Sequence, residues 1–399
     1  MRISAEANNP VAFNGQHNNS NALIRFLKIA CEVEHHICSE EPLERFLYED
    51  YVVDNAAWKR QLYYALKPLI PRAIQIWLRQ HYVASLNTQQ FPAWPIETRT
   101  LDLITRSVEN MLQVTNLAPL FGIAPWPTGS RFAFCITHDI EWDAGLRRAP
   151  ALLEVEQRVG VVSSWNLVPE RYPIDWRIVE ELRKAGGEIG IHGLHHDGRL
   201  FQSKRIFLSR LKKIEQYAQE WGAVGFRSPS CLRNPEWMKL MGFEYDSSFP
   251  DTDPYEPQPG GCCHVWPYFL GSMVELPLTI PQDHTLYEIL GHKDLSLWDQ
   301  KADWIERVGG LVLINVHPDY ITSTWRLRQY EEFLCRMKQR AHMWHALPKD
   351  IAQWWRSRDA STLVIKDGKP EIIGSLANNA AVARLTLDED LSLRFTSVL

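Results

Sequence analysis

Short apolar runs recur at residues 132–137, 161–167, 188–192, 224–227, 273–277 and 311–316, and helical patterns such as 176–184 and 203–221 separate several of them. Strand and helix alternating in this way predict parallel strands joined by crossover helices. Most of the runs end in a charged or imidazole residue: Asp139 and Glu141 beyond the first, then His192, Arg227 and His317. A strand barrel collects its chemistry at the C-terminal ends of its strands, so the pattern points to an α/β barrel with one shared site.

The barrel is expected over residues 129–355, with a helical N-terminal region at 21–128, a polar and disordered start at 1–20, and a small β-rich appendage at 356–399. Pro119, Pro125, Pro127 and Gly129 read as a linker into the barrel, preceded by a helix at 107–117. In the appendage, an Asp367-Gly368 turn is expected to follow a strand at 362–365, with alternating leucines further on at 384–395.

A net charge of -5 gives no general attraction to nucleic acid. The seven cysteines are odd in number and scattered, which suits reduced thiols. The first thirty residues lack a basic start and an apolar core, and no later run is long enough to span a membrane, so a cytoplasmic location is expected. Ile70, Ile74, Trp77 and Leu78 share one helical face within a basic neighbourhood of Lys59, Arg60, Lys67, Arg72 and Arg79. Amphipathic helices usually turn the apolar face inward and leave arginines in water, and that orientation is expected here. The alternative is a face that docks on a partner or on the inner surface of a membrane.

Four clusters carry the chemistry. Period two places Thr137, Asp139 and Glu141 on one side of the first strand, with Asp143 as a reserve carboxylate and with His138 and Trp142 on the opposite, packing side. His192 and His196 stand four apart, a spacing that on a helical turn lets two imidazoles reach one metal ion, with His195 a bystander. Arg227 precedes Ser228-Pro229, where the proline aims its guanidinium toward a carboxylate. His317 ends the run at 311–316. Tyr255, Trp266 and Tyr268, in an aromatic stretch at 249–269, offer either sugar-stacking faces or ordinary packing.

In this order the clusters resemble the motifs of the polysaccharide deacetylases, the NodB-homology group or carbohydrate esterase family 4, over roughly residues 131–348. The family opens with Thr-Phe-Asp-Asp-Gly, and Thr137-His138-Asp139-Ile140-Glu141 is similar, with Ile140 in place of the metal-binding Asp. The resemblance implies Asp139 as general base, Glu141 as the acidic metal ligand, and His192 and His196 as the other two ligands, in a motif where Gly193 replaces the usual hydroxyl residue. Arg227-Ser-Pro229 is similar to the Arg-x-Pro motif, and Ile314-Asn-Val-His317 to the late motif that carries the acid. The carboxylate that tunes the acid has no clean counterpart, and Asp246, Asp251 and Asp253 are candidates.

The resemblance further implies a distorted (β/α) barrel and one divalent ion, zinc or else Co, Ni or Mn. The implied reaction removes an N-acetyl group from an amino sugar in a polysaccharide, glycolipid or sugar precursor. A catalytically silent barrel that binds glycan or an assembly partner is a second reading, motivated by Ile140 and the unassigned tuner. A hydrolase of another non-peptide C–N bond or of an O-acetyl ester is a third.

Overall fold

The computed structural model describes residues 22–29, 42–52, 70–84, 86, 88, 90–114, 119–387 and 393–397. The expected disorder at 1–20 and the basic residues Lys59, Arg60 and Lys67 lie outside them.

In chain order the strands are β1 (Leu120–Pro127), β2 (Phe132–Ile140), β3 (Ser164–Leu167), β4 (Glu188–His192), β5 (Gly225–Arg227), β6 (Tyr245–Asp246) and β7 (Tyr268–Leu270). They continue as β8 (Met273–Glu275), β9 (Leu311–Val316), β10 (Met343–His345), β11 (Thr362–Lys366), β12 (Lys369–Ile373), β13 (Ala380–Leu387) and β14 (Leu393–Ser397). The main sheet is built on β2, which is buried at every position, as expected of a parallel strand covered on both faces. One edge of β2 pairs with β9, from Ala133 opposite Leu311 to His138 opposite Val316. Its other edge takes β10 near its start and β3 near its end. Parallel pairing then runs through β4, β5, β6 and β8, and β7 adds an antiparallel edge.

Beyond β8 the chain turns back onto β9. The Ile280 amide donates to Leu313 O at 3.2 Å, and Thr279 Oγ1 donates to Leu311 O at 2.6 Å. These bonds curl the sheet into a distorted barrel. Crossover helices run at Asp143–Val159, Trp176–Lys184, Lys204–Trp221 and Ser296–Val308. Local signals end them as expected: Ser203 accepts a hydrogen bond from the Ile206 amide at the start of one, and Gly222 in the left-handed conformation stops it.

Two expectations fail. The proline-rich stretch read as a linker is β1, which pairs antiparallel with β13 in the small sheet β1-β13-β14. It is an edge strand with an irregular register between Ile123 and Pro127, a place where missing amide donors are tolerated. The appendage is therefore tied to the chain ahead of the barrel.

The second failure concerns the helix Arg72–Ala84. Ile74, Trp77, Leu78 and Tyr82 face solvent, whereas Arg79 turns inward and donates to Tyr255 O at 2.7 Å. Gln80 on the same helix donates to Glu288 O, and Val83 packs with Tyr255 and Ile289. The inward side of the helix is set by these polar anchors rather than by its largest apolar residues.

Candidate active site

Register brings the strand-end residues together. Asp139 on β2 lies opposite Asn166 on β3, Thr137 opposite Asn315 on β9, and His192 on β4 opposite Arg227 on β5. The Asp139 carboxylate accepts from Asn166 Nδ2 at 2.9 Å, Asn315 Nδ2 at 2.8 Å and Arg227 Nη1 at 3.3 Å. Arg227, itself buried, also donates to Thr137 Oγ1 and Ser247 Oγ. Burial opposes the charge on Asp139, but His192, Arg227 and His317 outweigh it and hold the carboxyl well below the usual carboxylate range.

Glu141, His192 and His196 present ligand atoms within 4.8 Å of one another. His192 Nδ1 faces Arg227 O at 3.1 Å, a carbonyl to which it must donate, which leaves a lone pair on Nε2. That Nε2 is buried without a hydrogen-bond partner, and so is His196 Nε2, which lies 3.0 Å from Glu141 Oε1 without hydrogen-bonding geometry. Tyr320 donates to the other Glu141 oxygen at 3.2 Å. Burial pushes the His192 pKa down to about 4, so its ring is neutral near pH 7. Two orphaned imidazole nitrogens and a carboxylate oxygen directed at one region fit a divalent cation with N/O ligands.

The histidines do not share a helical turn. His192 ends β4, the chain reverses at Gly193, and His196 follows in a loop with φ of 53°. Asp143 takes no part: it pairs with Arg147 on the exposed start of the next helix. His195 faces Glu170, away from the cluster. His138 packs behind the site, stacked on Trp165 and 2.6 Å from Glu156. Trp142 does not pack as expected and is 52% exposed.

His317 reaches the same cleft from β9, with Nε2 3.9 Å from Asp139 Oδ2. Its Nδ1 lies 2.6 Å from Asp283 Oδ1, and its backbone amide donates to Asp283 Oδ2 at 3.0 Å. Burial alone would favour a neutral ring, but Asp283 and then Asp139 and Glu141 push the pKa up to about 10. Asp283 is thus the carboxylate sought among Asp246, Asp251 and Asp253. Those three serve elsewhere, with Ser248, Lys301 and the Tyr255 amide. The sequence signal for Asp283 was a run from β8 to Ile280 that ends in Pro281-Gln-Asp, the same strand-end logic applied one segment later. Asn166 and Asn315 were also missed, although Asn315 is the one polar residue of β9 and Asn166 stands between Trp165 and Leu167 in β3.

Arg79, Ser228, Ser230, Cys231, Glu256, Gln282 and His284 complete a cleft that encloses about 60 Å³. The aromatic side chains of the stretch at 249–269 do not line it. Tyr255, Trp266 and Tyr268 are buried, and the latter two donate to Gly309 O and Leu47 O.

No family model matches the chain, and no curated protein matches it. The chain is similar to solved structures of polysaccharide deacetylase type. One, described as a polysaccharide deacetylase from Mycobacterium smegmatis, is 19% identical over 61% of this chain and 96% of that one, with a TM-score of 0.48. Another, so described from Pseudomonas aeruginosa PAO1, is 17% identical over 61% and 96%, with a TM-score of 0.44. Puue allantoinase is 15% identical over 58% and 93%, also at 0.44.

Proposed function

We propose that the chain is a metal-dependent hydrolase that removes an N-acetyl group from an amino sugar. The observation that carries this reading is the pairing, in one buried cleft, of a ligand set of Glu141, His192 and His196 with Asp139, held by Arg227, and His317, held by Asp283. A divalent ion, zinc or else Co, Ni or Mn, would act there as a Lewis acid, polarising an acyl carbonyl and acidifying water. Asp139, fixed by Asn166, Asn315 and Arg227, is placed to take the proton of the attacking water. Arg227 keeps that carboxylate ionised and oriented. His317 Nε2, opposite the Nδ1 held by Asp283, is free to donate a proton to the departing amine. Acetate and a free amino sugar are the products.

A silent barrel would have no need of the Asp283–His317 pair, so the tuner whose absence motivated that reading now counts against it. Other C–N bonds and O-acetyl esters would use the same groups, and product analysis separates them. A membrane contact is part of the proposal only through the exposed face of Ile74, Trp77, Leu78 and Tyr82; no helix among the described residues is long and apolar enough to cross a membrane. Co-sedimentation with anionic liposomes at low salt tests it.

The first experiment is metal content after controlled zinc loading. About one ion per wild-type chain, lost in a His192→Ala/His196→Ala variant, is the expected result. Acetate release from acetylated amino sugars, absent in Asp139→Asn, completes the test. A wild type that retains no metal sinks the reading.

A further inference from the structure

Asp139 and Glu256 are buried carboxylates, which when ionised can only accept hydrogen bonds, and two side-chain amides stand between them. Asn315 Nδ2 donates to Asp139 Oδ2 at 2.8 Å and to Gln282 Oε1 at 2.9 Å, so both of its N–H groups are used. Gln282 Nε2 in turn donates to Glu256 Oε1 at 3.0 Å, with Cys231 Sγ 3.5 Å away. Beyond Glu256 stands Arg79, from the helix Arg72–Ala84. Its Nη2 lies 3.8 Å from Glu256 Oε2 and donates to the adjoining Tyr255 O at 2.7 Å. Arg79, Glu256 and Gln282 all line the cleft, and none belongs to the four clusters legible in the sequence.

The ends of this chain of bonds set its direction. An amide offers an oxygen on one side and N–H groups on the other, so turning Gln282 over would turn Asn315 over too and set the Asn315 oxygen against the Asp139 carboxylate. Thr137 does not prevent this alone. Its hydroxyl accepts from Arg227 and has a single proton, with both Ile314 O and Asn315 Oδ1 within reach. Glu256 does prevent it, because an ionised carboxylate has no proton to give the Gln282 oxygen. Burial and then Asp253 push the Glu256 pKa up to about 7, against the pull of Arg79, His317 and Arg233. The Arg79 charge thus helps to keep Glu256 an acceptor.

We infer that Arg79, Glu256 and Gln282 are positioning residues for the general base, holding the Asp139 carboxylate through Asn315, so that a helix ahead of the barrel completes the catalytic apparatus. This inference rests on the proposed hydrolase reading and deepens it. Asp139 is then oriented from two sides: Asn166 and Arg227 hold it from within the sheet, and the amide chain holds it from the cleft wall.

The test uses the zinc-loaded full chain and acetate release from N-acetylglucosamine tetramer, or from the best substrate of the acetate-release screen. Gln282→Leu, close in volume, leaves one Asn315 N–H without its acceptor and is expected to lower kcat about tenfold with KM and zinc content unchanged. Glu256→Leu should do the same, and the double variant should lose about tenfold rather than about a hundredfold, because both act through one amide. Glu256→Gln keeps an acceptor and should retain kcat to within about threefold, whereas Arg79→Met should lower it about fivefold. In protein carrying isotope-labelled asparagine, the side-chain amide protons of Asn315 should exchange with solvent faster in Gln282→Leu than in wild type. Wild-type kcat and unchanged Asn315 exchange in Gln282→Leu overturn the inference. Additive losses in the double variant, or a kcat untouched by Arg79→Met, overturn it as well, and the hydrolase reading survives each of these results. A wild type that releases acetate from no acetylated compound overturns both.

Discussion

Asp283 decides what His317 can do. A buried imidazole beside no carboxylate would be neutral at pH 7 and a poor acid, and it is the Asp283 oxygen 2.6 Å away that overcomes burial. The ring is charged below its raised pKa of about 10 and loses its proton above it, so kcat/KM for deacetylation should hold through neutral pH and fall on the alkaline side. Asp283→Asn removes the main favourable charge, and the alkaline fall should move to lower pH; an unmoved profile would show that His317 is not the titrating acid. At Asp139 the expectation is a loss of kcat of about 10²-fold or more on substitution by Asn, with zinc content unchanged because Asp139 lies outside the ligand set. Asn166→Ala, which removes one of the donors to Asp139, should lower kcat by a smaller factor.

At the scale of elements, the turn after β4 determines whether two histidines become one ligand set. Gly193 has φ of 65°, and a Cβ there would lie 2.5 Å from Pro229 Cγ. Any side chain would both strain the turn, by about 1–2 kcal/mol, and push the loop bearing His196 off the strand bearing His192. Gly193→Ala should therefore reduce zinc affinity about tenfold while circular dichroism is unchanged. Helix Arg72–Ala84 gives a different prediction. Trp77→Ser removes an exposed ring and should alter unfolding free energy by less than about 0.5 kcal/mol, whereas Val83→Ser, in the contact with Tyr255 and Ile289, should cost about 1–2 kcal/mol. Denaturant titrations distinguish them, and the reverse ranking would place the apolar face inward as amphipathicity alone predicts.

For the whole molecule, Arg358 joins the barrel to what surrounds it. It lies on the helix Pro348–Asp359, is almost fully buried, and donates to Phe26 O, Ile123 O and Ala124 O. One side chain thus holds the N-terminal helix Ala22–Leu27 and the edge strand β1 against the last helix of the barrel. Burial brings its pKa down to about 9, yet it remains cationic at pH 7, surrounded by carbonyl dipoles. Arg358→Leu would strand those carbonyls and should cost about 3 kcal/mol, read as a lower unfolding midpoint in urea. Zinc stoichiometry should survive, because the ligand set is built by β2, β4 and the loop after it.

What the sequence determined by itself was the alternation of strands and helices, and with it the barrel and the placing of Asp139, Glu141, His192, Arg227 and His317 at strand ends. Those features are local: period, chain reversal and residue type carry them. The Asp367-Gly368 hairpin between β11 and β12 was legible for the same reason, both residues having positive φ. Only the tertiary structure decided which carboxylate meets His317, since Asp283 arrives through the return of the chain from β8 to β9, a pairing set by closure of the sheet. It also decided that Pro125 and Pro127 sit in an edge strand, that Arg79 rather than Trp77 faces inward, and that Trp142 stands in solvent. Each of these depends on what lies opposite a residue across the fold, and no local period encodes the identity of a distant neighbour.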